Sequence, residues 1–385
     1  MNISNKKRNV GLDVARTLAI LLVLFSHTLW ISDNYPKVVS AAMKLSGTAG
    51  VEVFFIISGF LIGKIVWREL LLPDFSFKNI KHFLFRRWFR TFPNYYLLLF
   101  VNVLVWYFIY GEFPRQIYKY VLYIQNFADT SLPFYRVSWS LAVEQFSYII
   151  GPFLLYGLVV LFPKKNRDRF YLWVTVFILV CFTLTKVYFY YTRTVADIYE
   201  WNESIRKVLI YRLDAVYWGF LLRYFYNKYT KWVHKHERLL LFIGLFTLIF
   251  LNILRVPLGI TVEQTPGFMI IFYLAIHSIA ICCLIPYLVT MELKSAIAVR
   301  FFTTISLISY SLYLLHYTII LHSLKTIFPS EELTGISLWL YTFLYWGITI
   351  LFSYLLYKYF EKPVTDLRDS PRILKWLGRE KIRNS

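Results

Sequence analysis

GLDVARTLAILLVLFSHTLW, residues 11–30, is long and apolar enough to cross a bilayer, yet it carries Asp13, Arg16 and His27. About twenty mostly apolar residues span the hydrocarbon core as a helix. A charged side chain near the middle of such a helix costs about 2.5–3.5 kcal/mol on insertion scales, so ionisable groups kept there point to partners inside a bundle and to function. At about 100° per residue, eleven steps return the chain to within roughly 20° of the same face, while the rise separates Arg16 from His27 by about 16 Å. One helix face therefore shows a cation at one depth and an imidazole at another.

Similar apolar runs recur to the end of the chain. Hydrophobic residues make up 58% of the sequence and aromatic residues 20%, with a mean hydropathy of +0.52, which defines a polytopic membrane protein. The pattern predicts an all-α membrane helical bundle of about ten spans, at 11–30, 47–66, 88–110, 138–162, 170–190, 205–226, 239–256, 267–290, 301–325 and 337–358. One membrane domain, 11–362, then lies between a basic N-terminus, 1–10, and a basic tail, 363–385. Lys6, Lys7 and Arg8 precede the first apolar run as in a signal peptide. Asp13, Arg16 and His27 interrupt that run and no small-residue cleavage site follows, so it reads as a retained helix. Cys181, Cys282 and Cys283 all fall in apolar runs without metal-ligand spacing, and packing is the expected role. No metal and no permanently bound cofactor is expected.

The net charge of +20 would fit nucleic acid only if the basic residues shared one surface. They follow topology instead. With the N-terminus inside, the inner segments carry 29 Lys and Arg and the outer loops 9, leaving Arg16, Lys186, Arg212 and Lys325 within spans. By the positive-inside rule both termini are cytoplasmic, and the expected location is the bacterial inner membrane. Membrane lipids are partners; nucleic acid is not.

With that topology, His27 and His316 lie late in outward-running helices, and Glu52 and Glu144 early in inward-running ones. Four potential acid/base groups are thus expected at similar depth in the outer half, with Asp214 nearer the middle. A carboxylate beside an imidazole orients the ring and raises its basicity, which equips it to take a proton from a hydroxyl. The plainer reading is a set of polar groups that hold helices together. Near the cytoplasmic face, Arg86, Arg87 and Arg90 open the third span in FRRWFR, and Arg86 and Arg90, at i and i+4, share a face. Cations at a helix N-terminus make better sense with an anion between them, and paired guanidinium groups suit phosphate, although positive-inside anchoring explains them too. Asp13 and Arg16 form an i, i+3 pair at the same end. His277 shows no partner in the sequence, and His82, His234 and His236 belong to solvated basic segments. The outer segment 110–136 is rich in aromatics, with Tyr118, Tyr123, Phe127, Phe134 and Tyr135 as an interfacial belt or as platforms for sugar rings, and with Gln125 and Asn126 able to meet hydroxyls.

In their order and spacing these motifs resemble the acyltransferase 3 family, which includes bacterial O-antigen and peptidoglycan O-acetylases. The resemblance covers about residues 8–363. It rests on Arg16 and His27, GVEVFFIISGFLIG (50–63), Arg86 to Arg90, YIQNF (123–127), SWSLAVEQF (138–146), YRLDAVYWG (211–219), ISYSLYLLH (308–316) and FEKP (360–363). It implies acetyl-CoA or another acyl-CoA as cytoplasmic donor, and an envelope glycan or lipid-linked sugar as acceptor. It implies His27 and Arg16 in the active centre and Arg86 and Arg90 at the donor, and Glu144 matches a family hallmark. Together with the placement of the other polar groups, the expected site has His27, Glu144, Arg16 and Glu52 as catalytic residues, Arg86, Arg90 and Arg87 at the donor, and Asp214, His316, Asn126 and Trp139 at the substrate. Glu52 stands where the family more usually has an aspartate. Some relatives carry an extra extracytoplasmic hydrolase-like domain, whereas here an interfacial or disordered basic tail is expected, leaving acceptor chemistry to the bundle or a separate protein.

The expected reaction has His27, oriented by Glu144 or Glu52, deprotonate the acceptor hydroxyl as it attacks the thioester, with Arg16 offsetting developing charge. An acyl-His intermediate is the other route. The rival reading is a proton-coupled transporter or flippase using His27, Glu52, Glu144 and Asp214 as a relay, although no Gly/Pro-interrupted halves of the inverted-repeat kind are visible.

Overall fold

The architecture is taken from a computed structural model that describes residues 8–130, 133–163 and 166–376. Among the described residues there are helices and no strands. Nine helical stretches among the described residues are long and apolar enough to cross a membrane. Their outward faces carry exposed apolar side chains such as Phe108, Phe242, Leu340 and Phe343, as contact with lipid requires. The chain is a polytopic all-α membrane protein.

Helix α1 (Val10–Thr28) begins where the Asn9 side chain accepts from the Leu12 amide at 2.9 Å, a side-chain N-cap. It packs on α2 (Lys37–Leu70), which is followed by α3 (Phe77–Tyr110), the short α4 (Ile117–Val121), α5 (Trp139–Leu161) and α6 (Arg167–Thr192). The end of the bundle where α1 starts is termed basal here and the opposite end distal. After α6 the chain makes one short helix, α7 (Ile198–Trp201), and two irregular turns before entering α8 (Asp214–Lys228). Then come α9 (Thr230–Ile249), α10 (Tyr273–Thr290), α11 (Ala296–Leu315) continuing through a wide turn into α12 (His322–Ile327), and α13 (Gly335–Leu356).

The expected sixth span at 205–226 is the one that differs. Its α-helix is the short α8, fifteen residues from Asp214 to Lys228. This helix nonetheless runs antiparallel to α6 over most of its length, since Asp214 meets Lys186 late in α6 and Lys228 meets Asp168 at its start. The crossing is completed by the turn at Leu209–Tyr211, whose Ile210 carbonyl accepts from the Thr185 hydroxyl. Two boundaries also move outward. Helix α2 starts ten residues before the expected 47, and α3 eleven before the expected 88.

Close helix contacts use glycine. A Cβ on Gly59 of α2 would lie 1.9 Å from the Val216 carbonyl of α8, and one on Gly219 would lie 2.4 Å from the Ile56 carbonyl. Such small-residue faces let backbones approach where lipid supplies no hydrophobic drive between helices. The segment between α3 and α5 folds inward rather than forming a simple belt. Tyr123, in the left-handed region with φ 59, stacks on Tyr95 at 4.3 Å, while Phe134 and Tyr135 are buried. Of the five aromatics singled out in the sequence, only Tyr118 and Phe127 stay exposed.

The basic tail is not free where it is described. Its chain continues as α14 (Lys362–Leu367) and α15 (Pro371–Trp376), and Asp369 ties it to α3. Residues 377–385, like residues 1–7 of the basic N-terminus, lie outside the described residues.

Candidate active site

His27, in the last turn of α1 at its distal end, meets His316, the first residue of the wide turn that ends α11. His27 Nδ1 lies 2.9 Å from the Val23 carbonyl and 3.1 Å from His316 Nε2. His316 Nδ1 lies 3.1 and 2.8 Å from the carbonyls of Leu312 and Tyr313. Carbonyls only accept, so in the neutral pair the His316 proton is on Nδ1 and its Nε2 is a bare acceptor. His27 Nδ1 must then donate, which leaves the lone pair on His27 Nε2. The network thus fixes the tautomer that a general base needs. Tyr317 completes the setting, its ring 4.9 Å from that of His27.

Neither Glu144 nor Glu52 is hydrogen-bonded to this imidazole, which corrects the expectation that one of them orients His27. Glu144 accepts from the hydroxyls of Ser58 and Tyr148. Ser58 lies six residues beyond Glu52 in α2, about 9 Å along the helix, so the two carboxylates occupy different layers. Glu52 forms a salt bridge with Arg212 and accepts from Ser278 at 3.3 Å. Asp214 pairs with Lys186 at 2.5 Å. Glu52, Arg212, Lys186 and Asp214 are all at most 1% exposed. Removing one partner of such a buried pair leaves an uncompensated charge, so these pairs hold α2, α6 and α8 together.

A cavity of about 880 Å³ extends from Arg68 and Thr230 at the basal end to Val51 and Ser140 inside the bundle. Six cations line it, Arg16, Lys64, Arg68, Arg87, Arg90 and Arg223, against the single carboxylate of Glu144. Arg87 lies over the Tyr148 ring, 5.8 Å from its centroid, so Glu144, Tyr148 and Arg87 form one connected group. Arg90 and Arg87 are close enough to Arg16 to repel it, and Asp13 offsets this only from 4.0 Å. Asp13 is mainly engaged elsewhere, accepting from Arg8 at 3.0 and 2.6 Å and from Ser306 at 2.7 Å. Like charges held around one space favour an anion between them.

The arginine face differs from the expected one. Arg86 does not line the cavity; it pairs with Asp369 of the tail at 2.8 Å. Arg87 and Arg90, at i and i+3, are the two that face inward. The cavity also stops short of His27. Its distal wall includes Tyr313, whose hydroxyl lies 2.6 Å from Ser140 Oγ and donates to the Val137 carbonyl at 2.9 Å. The Tyr313 ring is 5.8 Å from that of His316. One side-chain layer therefore separates the cationic cavity from the histidine pair.

The remaining acceptor-side candidates are mostly structural in their contacts. Asn126 is fully buried and donates to the carbonyls of Trp139 and Lys207 at 3.2 and 2.7 Å, so its amide protons are not available to a ligand. Trp139 is 4% exposed, packed edge-on to Phe55 and beneath the Arg206 guanidinium at 5.2 Å. Sequence reading did not assign Ser58, Tyr148 or Tyr313. Hydroxyls carry little signal in an apolar run, but each lies in a quoted motif or one turn from it.

A bundle of polytopic helices enclosing a cationic cavity, with a tautomer-fixed histidine pair beyond it, defines a class of membrane-embedded protein rather than a soluble one. A family model for the acyltransferase domain (acyltransferase 3) matches residues 9–358, and the chain belongs to that family. Over 179 residues, 42% of the chain, it is 26% identical to a protein named "Putative O-acetyltransferase" from Staphylococcus aureus (strain COL), of which it covers 27%. Over 184 residues, 41% of the chain, it is 29% identical to "Putative peptidoglycan O-acetyltransferase YrhL" of Bacillus subtilis (strain 168), of which it covers 25%. The chain thus spans about a quarter of the length of these curated relatives. No solved structure matches it.

Proposed function

We propose that the protein is an O-acyltransferase of the bacterial inner membrane that moves an acetyl group from acetyl-CoA, or another acyl group from its acyl-CoA, to a hydroxyl of an envelope carbohydrate or lipid-linked glycan. The observation that carries this reading is the basal cavity, with six cations and one carboxylate, ending one side-chain layer from His27 and His316. The charge excess of the basal segments supports a cytoplasmic position for that end, where acyl-CoA is available.

In this account the phosphates of the donor lie among Arg87, Arg90 and Arg16, and the thioester arm runs toward Ser140 and Tyr313. Glu144 is a positioning residue that holds Tyr148 under Arg87. An acceptor hydroxyl arrives from the distal side and gives its proton to His27 Nε2 as its oxygen attacks the thioester carbonyl. The tetrahedral intermediate collapses, the carbon–sulfur bond breaks, and the departing thiolate takes the proton back from the imidazolium. His27 Nδ1 donates to Val23 and His316, which leaves the Nε2 lone pair free to take this proton. For the donor arm to meet His27, the Ser140–Tyr313 contact has to open.

Mass spectrometry of envelope glycans tests the reading, using a deletion strain complemented with wild type or His27→Ala. Acyl esters present with wild type and absent with the variant at equal membrane abundance are expected. Equal ester content in both would remove His27 from the reaction.

A further inference from the structure

A second, smaller cavity of about 400 Å³ lies at the distal end, lined by residues that include Thr130, Arg136, Glu203, Ser204 and Lys207. Its charges are unevenly committed. Lys207 is paired with Glu203, and Glu200 accepts from the Ala196 amide at 2.7 Å. Arg136, half-buried at the entry to α5, has no hydrogen bond or ion pair among the described residues. A guanidinium held at a cavity wall with no acid of its own presents a planar fork of donors that matches one carboxylate. The hydroxyls of Thr130 and Ser204 beside it are suited to sugar hydroxyls.

This cavity is on the side of the bundle from which His27 is approached. Lys207 acts electrostatically on His27 itself, and Arg136 acts on Tyr317, whose ring is 4.9 Å from His27. Neither cavity is lined by His27, and the distal one, with Arg136 and Lys207 in its wall, is the one on the acceptor's side of the bundle.

We propose that the distal cavity is the acceptor site and that Arg136 selects a glycan carrying a carboxylate near the acylated hydroxyl. The inference rests on the O-acyltransferase reading and adds the acceptor class to it. In it, Arg136 is a specificity-determining residue that anchors the acid, while Glu203 keeps Lys207 from competing for it.

The test uses the full-length protein in nanodiscs, radiolabelled acetyl-CoA and two forms of one acceptor. One form is amidase-treated peptidoglycan strands with free lactyl carboxylates, and the other is the same strands with those carboxylates amidated. Wild type is expected to favour the charged strands. Losing one charge-assisted contact in Arg136→Ala should raise the KM for charged strands at least about tenfold and leave that for amidated strands nearly unchanged. Arg136→Lys should keep part of the preference, and acetyl-CoA affinity should be the same in all three proteins. Equal use of both strands by wild type, or equal losses on both in Arg136→Ala, would overturn the proposal while leaving acyl transfer intact. No transfer by wild type to either form would overturn the acceptor proposal, whereas the reading beneath it falls only if envelope ester content is also the same with and without the protein.

Discussion

The arginines of α3 offer a prediction that the structure makes and charge counting does not. Arg86, Arg87 and Arg90 are equivalent as basal cations, yet Arg86 is 39% exposed and paired with Asp369, itself 48% exposed, whereas Arg87 faces the cavity beside Glu144. A charge-assisted hydrogen bond to a phosphate is worth about 1.5–3 kcal/mol, and about 1.4 kcal/mol is tenfold in affinity. Replacing Arg87 by Ala should therefore weaken acetyl-CoA binding about 10- to 100-fold, toward the upper end because Glu144 would then face the donor without its neighbouring cation. Arg90, also lining the cavity but more exposed, should give a smaller loss. Exposed ion pairs contribute about 0–1 kcal/mol, so Arg86→Ala and Asp369→Ala should each change donor affinity less than about fivefold. Titration calorimetry of acetyl-CoA into protein in nanodiscs gives the four affinities. A loss in Arg86→Ala equal to that in Arg87→Ala would refute the assignment of the inward face.

Two further outcomes concern the scaffold. Gly59→Ala, which drives a Cβ against the Val216 carbonyl, should destabilise the protein by at least about 1–3 kcal/mol in detergent melting, whereas Gly157→Ala, with open space around it, should be neutral or mildly stabilising; equal melting temperatures would contradict the tight crossing of α2 and α8. Arg212→Met alone should cost about 3–5 kcal/mol by stranding Glu52, and Arg212→Met with Glu52→Met should recover much of it. A double variant no more stable than the single one would argue against the buried pair as a structural tie.

The spans were legible because length and hydropathy alone decide them, and the costly ions marked the interior correctly. What failed was depth and pairing. Glu52 reads as an early residue only if α2 starts near 47, but the segment KVVSAAMKLS, 37–46, with two lysines and two serines, is helical too. Arg212 and Lys186 were visible as intramembrane cations, yet their partners lie 160 and 28 residues away and only the packing of α8 brings them together. A span at 205–226 was legible, but not that its first part is turns, since no periodicity announces the one at Leu209–Tyr211 before α8. Arg86 and Arg90 do share a helical face, but which of the three arginines lines the cavity is set by how α3 packs, and Arg86 instead meets Asp369 of the tail, 283 residues on. His316 was placed at the right depth; its role beside His27 needed the ring geometry.

The central claim is that His27 removes the acceptor proton and takes no part in holding the donor. It is tested most directly by following acetyl-CoA binding and single-turnover acetyl transfer in one nanodisc preparation of His27→Ala. Donor affinity within about twofold of wild type, with transfer slowed at least about 100-fold as for loss of a general base, is the predicted result. Transfer at the wild-type rate, or a donor affinity that collapses along with it, would contradict the account.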